Sequence, residues 1–210
     1  KKDTVLQLVR LYISYDRVPL KIIESLVRML TSYKVTQYEE DYRSLNANSF
    51  LLYFRAVFEQ LEHQFSHTFS AENDTKTKLR QTIMVVSALA NLLQLNIVKQ
   101  ANEGEKVKVP SKQISLSLVH GRKILERLEK SMKFYSEQFD THKEAVLSII
   151  KHIPQSTKVY HIVCAYAKEQ QDSSLAEKVP KVMSVMEALN FQVKELLESN
   201  NCEGAFSMSS

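Results

Sequence analysis

Glycine is scarce in this chain, with three residues among 210 and only four prolines beside them. Hairpins, bulges and sandwich corners draw on Gly and Pro at most reversals of direction. A chain so poor in both cannot supply the many turns of a β-fold, so long elements joined by few breaks are expected. Leu, Lys, Glu and Gln fill the runs between the breaks, and all four are good helix formers. The pattern predicts an all-α protein.

Hydrophobic spacing divides the chain into about eight helices. Val5, Leu8, Val9 and Tyr12 share one face behind an Asp3 cap. Pro19 opens a second helix with Leu20, Ile23, Val27 and Leu30. An acidic connection, 31–47, follows. A third helix, about 49–69, carries the aromatics Phe50, Tyr53, Phe54, Phe58, Phe65 and Phe69. A fourth, about 75–100, places Ile83, Val86, Ala90, Leu93 and Ile97 on one side. After a charged loop at 101–110, a fifth spans 111–137. A sixth is expected from Thr141 to Ile153, ending before Pro154, and a seventh over 156–170. The eighth covers 174–199, restarting at Pro180 and ending at Asn200-Asn201. Consecutive amphipathic helices with short turns suit antiparallel hairpins stacked as an α-solenoid of HEAT/ARM type; a closed bundle satisfies the same pattern. Residues 1–200 are read as one helical-repeat domain and 201–210 as a flexible tail.

The fifth helix is the most informative. Ile114, Leu118, Gly121, Leu125, Leu128, Met132 and Tyr135 alternate four and three apart, an unbroken apolar stripe that includes Gly121. Gly121 is therefore expected to let a neighbouring helix approach closely. With Leu125 at zero, Lys112, Lys123, Arg127 and Lys130 fall at roughly 140–200°, opposite the stripe and with no acid among them. Arg122 has Glu126 four residues on and is expected to pair with it.

Charge is uneven along the chain. Residues 75–133 hold 12 Lys/Arg against 4 Asp/Glu, a net of +8, whereas 1–74 hold 9 against 10 and 134–210 hold 7 against 10. A basic middle between acidic flanks suits a polyanion partner; a solvated lysine face suits it equally. Lys76, Lys78 and Arg80 sit in the first turns of the fourth helix, where the macrodipole disfavours cations. A bound phosphate reverses that sign, and so does an Asp74 cap. Lys106 and Lys108 add charge in the nearby loop.

Little else points to chemistry. His63 and His67 have the spacing of a two-His metal face but lack a third ligand, so no metal is expected. His161 and Cys164, three apart, read as a buried packing pair. No phosphate loop, nucleophile elbow or dinucleotide fingerprint is present. Neither an enzyme nor a cofactor is expected. Cys164 and Cys202 form no disulfide framework and fit a reducing compartment. No apolar run reaches the roughly 18–20 residues of a membrane span. The start at Lys1-Lys2-Asp3, without an initiator Met or signal peptide, suggests a piece of a longer protein.

His120-Gly121-Arg122-Lys123, Val146-Leu147-Ser148, His161, Cys164, Lys168, Gln171-Asp172, Val179-Pro180, Val193-Lys194 and Asn200-Asn201-Cys202 with Ala205-Phe206, taken in order and spacing, resemble the C-terminal region of the Fanconi anaemia group D2 family. The matching points cover about 120–206. The resemblance implies a nuclear, non-catalytic α-solenoid arm that pairs with a paralogous Fanconi anaemia group I subunit, or with itself when that partner is absent. It also implies a clamp on double-stranded DNA in interstrand crosslink repair, within a monoubiquitinated family. The acceptor lysine has no counterpart position here. The predicted contacts to duplex DNA, independent of sequence, are Lys112, Lys123, Arg127 and Lys130, with Lys76, Lys78, Arg80, Lys106 and Lys108 as a second group. The alternative is a pure protein–protein scaffold whose basic face is idle.

Overall fold

The structure, a computed structural model, is described for residues 47–94, 111–169 and 171–202, with backbone alone at 47–54, 56, 57, 91–94 and 111–113. The helices expected within 3–30, most of the acidic connection, residues 95–110 and the tail from 203 lie outside the described residues. Among the described residues there are five long helices, one four-residue helix and no strand. They are α1 (Ala47–His67), α2 (Thr75–Gln94), α3 (Ser111–Glu137), α4 (Lys143–Glu169), α5 (Ser173–Ala176) and α6 (Val179–Ser199).

Each helix begins and ends for a local reason. Asp74 caps α2, its carboxylate accepting from Thr77 N at 2.7 Å while its carbonyl accepts from Lys78 N at 3.0 Å. Asp172 does the same for α5, accepting from Ser174 N at 2.9 Å. Pro180 sits in the first turn of α6, where its missing N–H costs nothing, so the expected restart is found. At the far end Asn201 adopts φ 54°, and Cys202 N reaches back to Leu197 O at 2.9 Å. With Asn201 N on Glu198 O at 3.1 Å this closes a Schellman motif.

The break expected at Pro154 is absent: α4 runs unbroken from Lys143 to Glu169 through it. A proline inside a helix leaves one carbonyl without its donor and crowds the turn before it, at a cost of about 3 kcal/mol. Burial outweighs that cost. Val146, Ile149, Ile150 and Ile153 precede the proline, and Val159, Tyr160, Val163, Cys164 and Ala167 follow it, all buried on one continuous face. Hydroxyls brace the turn after it. Ser156 Oγ donates to His152 O at 3.2 Å, and Thr157 Oγ1 shares its proton between Pro154 O at 3.1 Å and Asn190 Oδ1 of α6 at 3.3 Å.

The helices pack in two rows. In one, α3 lies between α1 and α6; in the other, α2 lies along α4; α6 also rests on α4. Along the first row the contacts advance together. Glu62 meets His120 and Phe69 meets Phe134, so α1 and α3 run the same way. The core between the rows is the stripe expected for the fifth helix. Ile114, Leu118, Leu125, Leu128 and Tyr135 are fully buried, and Met132 nearly so. Gly121 is the close-approach point. A Cβ there would stand 1.0 Å from the hydroxyl of Tyr160 of α4, which donates to Ser117 O at 2.7 Å. The glycine is a socket for a tyrosine, as its place on the stripe predicts.

Candidate nucleic-acid interface

The side of α3 facing away from the core carries the predicted cations. Arg127 and Lys130 are exposed and have no acid within ion-pair distance among the described residues. One turn beyond Lys130, on the same side, stands Phe134, and Lys78 of α2 lies over its ring at 6.0 Å from the centroid. Phe134 is itself held edge-on by Phe69 at 5.4 Å, in the turn between α1 and α2. Lys78, a member of the second cation group, therefore comes beside the α3 side that carries Arg127 and Lys130. Arg127, Lys130 and Lys78 form one strip, with an aromatic ring between its last two members.

Lys123 differs from its neighbours. Its Nζ lies 3.0 Å from Glu62 Oε1 of α1, while the other carboxylate oxygen, Oε2, is 2.8 Å from His120 Nδ1. The helix face has no acid of its own, as the spacing predicts, but α1 delivers one from 61 positions away in the chain (123 against 62). Glu62 is 27% exposed and Lys123 46%, so this pair sits at the protein–water boundary rather than in the core. The expected Arg122–Glu126 pair is present at 3.5 Å. It is partly exposed and worth a few tenths of a kcal/mol.

At the start of α2 the cap answers the question posed by its cations. Hydrogen bonds from Thr77 hold the Asp74 carboxyl below the usual carboxylate range, with smaller help from the charges of Lys76 and Arg80. Lys76 and Arg80 are exposed and Lys78 is partly covered. The backbone of Lys112 lies in the first turn of α3, but its side chain lies outside the described residues, as do Lys106 and Lys108 entirely.

The remaining candidates are histidines and a cysteine on α1 and α4. His63 and His67 stack with centroids 4.5 Å apart, and His67 Nδ1 is engaged with His63 O at 2.9 Å and Ser66 Oγ at 3.0 Å. No group of three or more His, Cys, Asp or Glu able to hold a metal occurs among the described residues. His161 and Cys164 do not form a buried pair: Cys164 is in the core, and His161 is exposed because it lies about 100° round the helix from buried Tyr160. Burial pushes the Cys164 thiol up to about 11. No described helix is long and apolar enough to cross a membrane.

Two residues that matter here carry no sequence motif. Phe134 was reachable by angle, since it falls at roughly 180° on the wheel that places Arg127 and Lys130. Glu62 was not, because only the packing of α1 on α3 brings it to Lys123. Bordering the strip at Lys130, an open groove of ≈ 700 Å³ runs between α3 and α6 over Met132 and Leu196, with Lys130 and Lys133 on one side and Glu195 and Glu198 on the other. Phe191 of α6, 62% exposed, stands one turn before Glu195.

An all-helical, two-row protein with a cationic outer strip is the class that fold and surface define. The chain belongs to the FancD2 family: the family model described as "Fanconi anaemia protein FancD2 nuclease" matches residues 1–210. It is similar to the Fanconi anemia group D2 protein homolog of Mus musculus, 27% identical over 206 residues, covering 93% of this chain and 14% of that protein. The Fanconi anemia group D2 protein of Gallus gallus is 26% identical over 169 residues, covering 79% and 11%. The homolog of Drosophila melanogaster is 26% identical over 162 residues, covering 76% and 10%. The chain thus spans a small fraction of the length of these relatives, and the likeness extends well before residue 120.

Proposed function

We propose that this chain is a non-catalytic arm of a DNA-repair clamp in the Fanconi pathway. In this reading it contacts double-stranded DNA without regard to sequence and pairs with a paralogous Fanconi anaemia group I subunit in the nucleus during interstrand crosslink repair. Family membership supports the pathway. The two-row packing, with α1, α3 and α6 in one row and α2 and α4 in the other, supports an arm that continues as an α-solenoid. The family's description includes the word nuclease, and no group of three or more His, Cys, Asp or Glu able to hold a metal ion occurs among the described residues.

The observation that carries the DNA reading is the strip of Arg127, Lys130 and Lys78, whose first two members make no ion pair among the described residues. Like charges on one face repel, and a packing role offers no compensation, whereas backbone phosphates do. Lys123, Lys76 and Arg80 flank the strip. Lys112, Lys106 and Lys108 extend it in this proposal.

The test is duplex affinity as a function of salt. The parent chain is expected to lose affinity with a log–log slope near −0.9 for each phosphate contacted. Arg127→Glu/Lys130→Glu is expected to weaken binding and flatten that slope by about two contacts, with an unchanged circular dichroism melt. If the reversed chain binds as the parent does, the surface of α3 is not a DNA surface. The second reading, a protein–protein scaffold, is favoured by exposed Phe191 beside the α3–α6 groove. Under it, Phe191→Ser abolishes partner capture and the charge reversal does nothing.

A further inference from the structure

Glu62 is the only acid that reaches the outer side of α3 from another described helix at this point. The neighbouring acids are engaged elsewhere, Glu59 with Arg55 at 2.6 Å and Glu126 with Arg122 at 3.5 Å. Its two oxygens are divided between two nitrogens of α3, Oε2 on His120 Nδ1 and Oε1 on Lys123 Nζ. Two anionic oxygens on one centre, each on a different nitrogen, is also how a phosphodiester sits between two basic side chains. Arg127 follows Lys123 by four residues, so this site opens directly onto the strip.

We propose that Glu62 stands in for a backbone phosphate: its carboxylate occupies an anion site formed by Lys123 and His120, and duplex DNA gains the Lys123 contact only by displacing it. This inference rests on the duplex-binding reading above and adds to it a device that lowers affinity. A surface ion pair is weak, so DNA can compete for Lys123. Displacement, however, leaves the Glu62 carboxylate facing a phosphate, and the repulsion offsets what the new contact gains. In the parent, Lys123 therefore contributes almost nothing to DNA affinity although it lies on the cationic side.

The experiment titrates a 30-base-pair duplex, at several salt concentrations, with the full chain and four variants: Glu62→Gln, Lys123→Gln, the double variant, and Arg127→Glu/Lys130→Glu. Glu62→Gln keeps shape but removes the charge and turns one of the two acceptor oxygens into a donor. It is expected to bind about tenfold more tightly, with a slope steeper by about 0.9, one additional phosphate contact. Lys123→Gln alone is expected to leave affinity and slope unchanged, and in the double variant it should cancel the gain.

Equal binding by Glu62→Gln and parent, with Arg127→Glu/Lys130→Glu weakened, overturns the stand-in and leaves the interface reading intact. A gain that survives Lys123→Gln overturns it too, because the gain then does not pass through Lys123. Unchanged binding by Arg127→Glu/Lys130→Glu removes the interface reading itself. Should Glu62→Gln loosen α1, Lys123→Gln in the parent decides alone, and a several-fold loss of affinity there refutes the proposal.

Discussion

Tyr160 and Gly121 form a tightly constrained contact. The tyrosine hydroxyl occupies the place of a missing methyl group, with Cζ only 2.3 Å from where a Cβ would be. Gly121→Ala gains about 1 kcal/mol in helix propensity. It also forces the ring out of its place and breaks the bond to Ser117 O, an overpacking cost of about 1–3 kcal/mol or more. A net loss of stability is expected in urea unfolding. Tyr160→Leu, which removes the ring, is expected to make Gly121→Ala less damaging, with a coupling of about 1–2 kcal/mol in a double-mutant cycle. Additive losses would show that the two residues do not meet. Asp74 offers a second test at this scale. Its carboxyl is held below the usual range by Thr77, so the stability it supplies is present above the ordinary carboxylate value and lost as pH falls through the depressed one. Asp74→Ala is expected to lower the melting temperature at neutral pH and to make the acid side of the stability profile flatter. The role of Gly121 was legible in the sequence because a 4,3 spacing fixes which side of a helix a residue occupies. The pairing of Lys123 was not, since Glu62 belongs to another helix and no periodicity reports which helices touch.

At the level of helices, α3 and the ends of α6 followed from local chemistry. An apolar stripe with 3.6-residue period specifies the first, and Pro180 with Asn200-Asn201 marks the limits of the second. Pro154 misled for an equally physical reason. A proline's cost is local and visible in sequence, whereas the burial that outweighs it is shared by nine apolar residues packed on other helices. Restoring the N–H should therefore stabilise α4. Pro154→Ala is expected to raise unfolding free energy by about 1–2 kcal/mol, the helix gain of about 3 being reduced by the greater freedom of the unfolded alanine chain and the added backbone desolvation. A fall in stability on chemical denaturation would mean that the ring itself supports the packing of α4.

For the molecule as a whole, three buried acids titrate late. Burial raises the Tyr135 and Tyr160 hydroxyls above their ordinary values and pushes the Cys164 thiol from 9.0 to about 11. A raised folded value means that stability is complete below the unfolded value and declines as pH climbs through the folded one. Urea midpoints are expected to be insensitive to these groups near neutrality and to fall between pH 9 and 11. Cys164 is 2% exposed, so its alkylation at pH 8 should require opening of the core and should slow with anything that stabilises the fold. Half-buried Cys202 should label first under the same conditions.

The tyrosine in its glycine socket has a mechanical consequence. Sliding α4 along α3 by one helical turn, about 5.4 Å, would drive the hydroxyl against a leucine of the stripe, Leu118 or Leu125, where no gap exists. The two helices are keyed like a shaft and hub. A shift of α4 along α3 is therefore opposed at this contact.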